Sequence, residues 1–243
     1  MKTANISEIK ELLQTKDGEN GCFEHADLEN VNLKNANLKH ANFEGANLKD
    51  AILINANLKG ANLRKIDASG ADLSGANIEG ADLENADLGH AEISNASIKK
   101  ANLKDANLRG AELVGTSLVN CNLTDADFSY SNLHGADLRK ATMNNLSLLR
   151  ANLAFADLSD ADLTVANLKD ANLSFAKLTN ANLKDANLEG GELTSAELSS
   201  ADLKNVSLEG ANLKDADFSN SNLKGVDFKD SICKGTVFKN STQ

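Results

Sequence analysis

The sequence predicts an all-β solenoid, a chain coiled on very short sides around a continuous apolar interior. Three observations predict it. From Phe23 to Phe238 every fifth residue is large and apolar at 42 of 44 positions, the exceptions being Ala68 and Cys233. Two residues before each stands a small residue, which is Ala at 31 of the 44. Two residues after each stands Gly 12 times, Asn 11 times and Asp 8 times, so that one position of the repeat takes 12 of the 16 glycines.

A period of five suits neither ordinary element. On an α-helix the large residues would fall about 140° apart and smear around the barrel. On a continuous strand an odd period would send successive leucines to opposite faces. The chain must therefore turn inside every pentad, so that each large residue and the small one before it point inward again. Gly and Asn at the last position suit the third residue of a type II turn, whose φ is positive. The residue before each large one is mostly Asn or Asp, the one after is often charged or hydroxylic, and both are expected to face water.

Runs such as Ala36-Asn37-Leu38-Lys39-His40 and Ala181-Asn182-Leu183-Lys184-Asp185 make residues 21–240 resemble the pentapeptide-repeat protein family. The resemblance implies a right-handed quadrilateral parallel β-helix with four pentads to a coil. On that basis 44 pentads make about 11 coils, and at ~4.8 Å per coil the rod is about 53 Å long. The chain divides into an N-terminal cap, residues 1–20, and the β-helix, residues 21–243.

In the cap, Ile6, Ile9, Leu12 and Leu13 share a helical face, with Asn5 as N-cap, Glu8 at N3 and Lys16-Asp17-Gly18 as stop. A short helix here would close the apolar end of the first coil, since solenoid ends need caps. At the other end the small inward positions become polar or β-branched (Ser221, Val226, Ser231, Thr236), which suits either a frayed coil or pairing with a second copy. The chain is accordingly expected as a monomer or an end-to-end homodimer through its C-terminal coil. Within the repeat, Ile66 and Ala68 exchange the large and small roles, and Leu146 is oversized for its position.

Composition excludes several classes. With 25 Lys+Arg against 35 Asp+Glu the formal charge is −10, which argues against direct nucleic-acid binding. No apolar run approaches the roughly 18 residues of a membrane span, and three cysteines fit a reducing, cytoplasmic location better than a disulfide framework. The four histidines, His25, His40, His90 and His134, all sit at outward positions without metal-ligand spacing. Cys121 and Cys233 occupy inward positions and are expected to be inert, while Cys22 points outward. No phosphate loop, nucleophile elbow or ordered triad is present, so the expectation is a protein that is not an enzyme and needs no cofactor or metal.

Some members of the family that the chain resembles imitate duplex DNA and bind type II topoisomerases. Sorted by wall, the second is the consistently acidic one (Asp27, Glu29, Asp67, Asp87, Asp127, Glu189, Glu209, Asp227), interrupted by Lys49, Arg109, Arg150, Lys169 and Lys229. The net charge is one per roughly 6 Å of rod, against one per about 1.7 Å in B-DNA. Gyrase binding with quinolone resistance is therefore the second reading, an inert structural or effector spacer the third, and a rigid protein-interaction rod the first.

The outward positions are interrupted by apolar residues in mid-rod. Tyr130, Leu149, Ala154, Phe155, Val165 and Phe175 stand where polar residues or Gly usually do, and most border the third wall, which also carries Ile52, Ile54 and Val114. A partner-binding patch of these residues, with Arg150 one coil above Tyr130 as a cation for its ring, is the candidate site. Phe155, Val165 and Phe175 do not readily take positive φ. Their three corners are expected to depart from type II toward type I-like turns.

Overall fold

The computed structural model describes residues 6–242, one helix followed by a solenoid. Helix α1 spans Ile6–Thr15. From Asp17 onward every bridge is parallel and joins residues twenty apart, from Asp17 with Asn37 to Asn222 with Thr242. A twenty-residue turn and a five-residue repeat together place four pentads in each turn. The first to fourth walls hold the pentads centred on Phe23, Leu28, Leu33 and Leu38, and each recurs every twenty residues.

The pentad works because each of its main-chain N–H groups has a destination. The N–H of the large central residue and that of the corner residue both donate to the next coil, as Phe23 does to Asn42 (2.6 Å) and His25 to Glu44 (2.9 Å). The residue before the centre donates to the previous coil, as Asn47 does to Ala26 (2.9 Å). The small residue closes the turn, as Ala46 does onto Phe43 (2.8 Å). One N–H remains, that of the residue after the centre. Where Asn or Asp stands before the centre, this N–H donates to its side chain two residues back: Lys34 to Asn32 Oδ1 (3.0 Å), Ser129 to Asp127 Oδ1 (2.8 Å), Glu189 to Asn187 Oδ1 (3.0 Å). This is why Asn and Asp interchange before the centre. Their amide or carboxylate oxygen completes the backbone, beyond merely meeting water.

The large and small inward residues form one continuous core from Leu12 to Leu223. Ile66 and Ala68 are both buried, so the size exchange is accommodated. Among the described residues Ile66 makes no turn-closing bond, and that of Leu146 to Met143 stretches to 3.3 Å, as expected when a large side chain occupies a small slot. The last coil is open. Val226, Phe228 and Phe238 are only partly buried, and Cys233, expected inside and inert, is exposed because no described residue stacks over its central position.

At the start, α1 buries Leu12 (1% exposed) and packs Ile9 against the core, while Leu13 lies outside at 37% exposure. The helix ends with Lys16, whose φ is 59° and whose N–H donates to Leu12 O at 2.9 Å. The left-handed residue is thus Lys16 rather than Gly18. Gly18 stands at a central position, where a Cβ would lie 2.9 Å from Leu12 Cδ1 and 3.0 Å from Phe23 Cε2. Leu12 fills the space that a central leucine would take. Pairing accordingly begins at Asp17, four residues before the regular repeat. The N-cap assigned to Asn5 lies outside the described residues.

Every corner residue from Asn20 to Asn240 has a positive φ, 54–62° for the side-chain-bearing ones and 64–78° for glycine. Phe155 (62°), Val165 (60°) and Phe175 (60°) are no exception, which corrects the expected departure toward type I-like turns. The reason is the ladder. Their N–H groups donate to Ser174 (3.0 Å), Lys184 (2.9 Å) and Thr194 (2.9 Å), so leaving the left-handed region would break bonds between coils.

Candidate functional site

Phe155 and Phe175 occupy one corner, between the third and fourth walls, in adjacent coils. Their rings stack with centroids 4.9 Å apart at 7°, and both remain about half exposed, at 57% and 48%. His134, the residue before corner Gly135 in the coil below, meets Phe155 edge-on at 5.3 Å. The corners preceding Phe155 in this column are Gly115 and Gly135, and a Cβ on Gly135 would meet nothing within 4 Å. The stack therefore stands beside bare backbone, with its first ring flanked rather than covered.

Tyr130 (44% exposed) stands at the opposite edge of the third wall. Its cation is Arg109, whose guanidinium carbon is 4.4 Å from the ring centre. The expected partner, Arg150, turns instead to Asp170 at 3.3 Å, because a carboxylate one coil on outcompetes a ring for a guanidinium. Between the two aromatic edges runs an uncharged amide ladder, Asn172 donating to Asn152 (3.2 Å) and Asn152 to Asn132 (3.0 Å). Val114 borders this area half-buried, as does Leu149 beside Arg150, and Ala154 is buried.

Other expected members fall elsewhere. Ile52 and Ile54 share the third wall but lie three coils before Val114, about 14 Å away at ~4.8 Å per coil. Val165 projects from a different corner, that of the first wall. The surface that comes together is Tyr130, Phe155 and Phe175 with Val114 and Leu149 at its margins, plus Arg109 and His134. Neither of these last two stands out in the sequence. A residue 21 positions before a corner aromatic is its neighbour one coil down, and both His134 and Arg109 meet that rule.

The electrostatics are local. Arg139 grips Asp137 through two bonds of 2.8 and 2.7 Å and holds its carboxyl below the usual range. Burial pushes the Cys121 thiol up to about 12, and its Sγ lies 3.0 Å from the Ile98 carbonyl. On the second wall the carboxylates are occupied: Asp67 accepts from Ser69, Asp87 from Gly89 and Asn107, and Lys169 pairs with Glu189 at 2.8 Å. Among the described residues no three His, Cys, Asp or Glu side chains are grouped to hold a metal ion. The mid-rod surface offers apolar and amide contacts with Arg109 and His134 against its rings.

The family model for pentapeptide repeats (8 copies) matches residues 23–53, 51–89, 86–125, 106–145, 147–185, 166–205, 181–220 and 192–230. Among solved structures, HetL, a pentapeptide repeat protein involved in heterocyst differentiation regulation from the cyanobacterium Nostoc sp. strain PCC 7120, is 32% identical. The likeness covers 97% of both chains with a TM-score of 0.61. QnrB1, a plasmid-mediated fluoroquinolone resistance protein, is 22% identical over 65% of this chain and 84% of its own, with a TM-score of 0.58. That second likeness is one of fold. No curated protein matches. With a family model spanning most of its length and a 32% identical relative covering nearly all of it, this right-handed β-helical solenoid belongs to the pentapeptide-repeat family.

Proposed function

We propose that the protein is a non-enzymatic, rigid interaction rod that binds a protein partner through the middle of its third wall. The observation that carries this reading is the Phe155–Phe175 stack, two phenyl rings about half exposed on a corner where the repeat ordinarily places Gly, Asn or Asp. Exposed aromatics of this kind are the usual anchors of protein contacts. The same reading takes the rod as about 11 coils closed at its start by α1, supported by the unbroken run of bridges and by the burial of Leu12.

A DNA mimic that binds a type II topoisomerase would need carboxylates presented to a partner. The second-wall aspartates serve their own backbone and the neighbouring coils, which argues for the interaction rod. Two measurements separate the readings. Gyrase supercoiling titrated with the protein at low and high salt is expected to show no inhibition at tens of micromolar. Partner capture is expected to be lost on Phe155→Asn/Phe175→Asn and retained when second-wall Asp and Glu are changed to amides. Potent, salt-sensitive inhibition, or the reverse pattern of capture, would overturn the proposal.

A further inference from the structure

The two ends of the rod differ in charge at one position of the repeat, the residue after the centre, which is mostly Glu at the start and Lys throughout the last coil. Inside the rod, cations at this position reach a carboxylate at the same position one coil on. Lys59 pairs with Glu79 at 3.1 Å, Lys169 with Glu189 at 2.8 Å, and Arg64 with Glu84. In the last coil the position is Lys on all four walls: Lys224, Lys229, Lys234 and Lys239. Lys229 turns back to Glu209, while the other three make no ion pair among the described residues. In the first turn the position is Glu19, Glu24, Glu29 and, on the remaining wall, Lys34, with Lys39 one coil on from Glu19. Glu24 is largely covered beside His25, while Glu19 and Glu29 are exposed, Glu19 lying 3.8 Å from Lys39 and Glu29 accepting from Asn47.

The surroundings extend the contrast. Residues 6–30 hold seven carboxylates against two lysines, and residues 221–242 hold four lysines against two aspartates. The N-terminal end contains an open cavity of about 250 Å³ whose lining includes Glu8, Glu11, Asp17, Glu19 and Phe23. The C-terminal coil exposes Ile232 (56%) and Val237 (44%), and α1 presents Leu13 outward. Apolar surface at each end is thus rimmed by charge of opposite sign.

We propose that the rod associates head to tail, the lysine-ringed C-terminal coil of one copy docking on the carboxylate-rich α1 end of a second copy. The charges decide the orientation. Pairing two C-terminal coils would set four lysines against four, and pairing two α1 ends would set carboxylates against carboxylates. A head-to-tail contact is heterologous. Unless it closes into a ring it repeats, so the product is an open linear series rather than a dimer.

Sedimentation velocity of the full chain tests this at roughly 0.05 M and roughly 0.5 M salt, which shortens the screening length about threefold. The expected result is a series of species that grows with concentration at low salt and weakens at least tenfold at high salt. Glu11→Lys/Glu19→Lys and Lys234→Glu/Lys239→Glu should each be monomeric alone. An equimolar mixture of the two should associate again, which also shows that both are folded. A wild type that stays monomeric at every concentration, association indifferent to salt, or a dimer that Glu11→Lys/Glu19→Lys leaves intact would each overturn the proposal, the last in favour of contact between C-terminal coils.

Discussion

The imidazole of His90 lies over Gly110, one coil on, so closely that a Cβ on Gly110 would come within 2.7 Å of His90 Nδ1 and Cε1. His25 covers Gly45 and His40 covers Gly60 in the same way. A ring at a corner leans toward the next coil, and the glycine there is both the residue that takes φ +67° freely and the one with no side chain to displace it.

Gly110→Ala therefore has a definite expectation. The ring belongs to an exposed side chain and can swing into solvent, so the cost is chiefly that of an alanine held at positive φ, about 1 kcal/mol. Urea denaturation should show that loss, and the His90 ring resonances should move toward those of a free histidine. An unchanged His90 spectrum would mean that the ring does not rest on the glycine.

Val165 is a β-branched residue held at φ 60° and 53% exposed, so about half of its surface is left out of any packing that would offset the strain. Val165→Asn should stabilise the rod by about 1 kcal/mol. Phe155→Asn relieves the same strain but forfeits the stack, worth about 0.5–1.5 kcal/mol, and should be close to neutral. Midpoints of chemical denaturation for the two variants check both. Equal stabilisation would show that the Phe155–Phe175 stack contributes nothing.

Cys121 makes the alkaline limb of stability informative. In the folded rod its thiol holds its proton up to about 12, against an ordinary value of 9.0. The unfolded chain ionises first, so this contribution is complete below about pH 9 and is lost as pH rises toward 12. The slope is about 1.4 kcal/mol per pH unit. Cys121→Ala, which restores the repeat's usual residue, should flatten that limb. In native protein the exposed Cys233 should react rapidly with a thiol reagent and Cys121 only on unfolding.

Asp137 sets an acid limb of the opposite sense. Arg139 holds its carboxyl below the ordinary 3.8, so the stabilisation is complete above that value and disappears as pH falls through the lower folded value. Because the pair is largely exposed, solvent screening keeps the effect small. Arg139→Gln should be less stable than wild type at pH 7, with the gap closing below about pH 4. Carbon-detected titration of the Asp137 carboxyl should show its midpoint rise in the variant.

Much of this was legible from spacing alone. Phe155 and Phe175 differ by 20, and their stack follows once four pentads make a coil. The Asn/Asp position was legible as a pattern but not as a function, since its bond to the N–H two residues on depends on which groups the ladder leaves unpaired. Likewise Arg109 and Arg150 both lie within one coil of Tyr130, and the choice between them rests on Asp170, a residue forty positions beyond the ring in the chain.

By itself the sequence determined which side chains go in, which go out and where the chain turns. Each pentad repeats one local conformation, so a residue's role follows from its position modulo five. Tertiary structure decided whatever depends on competition between coils. It held Phe155, Val165 and Phe175 at positive φ because the ladder outweighs their preference. It exposed Cys233 at an inward position in the last described coil, where no described residue stacks over it. Such outcomes depend on neighbours twenty residues away, whose distances and rival partners become comparable only when the coils are stacked.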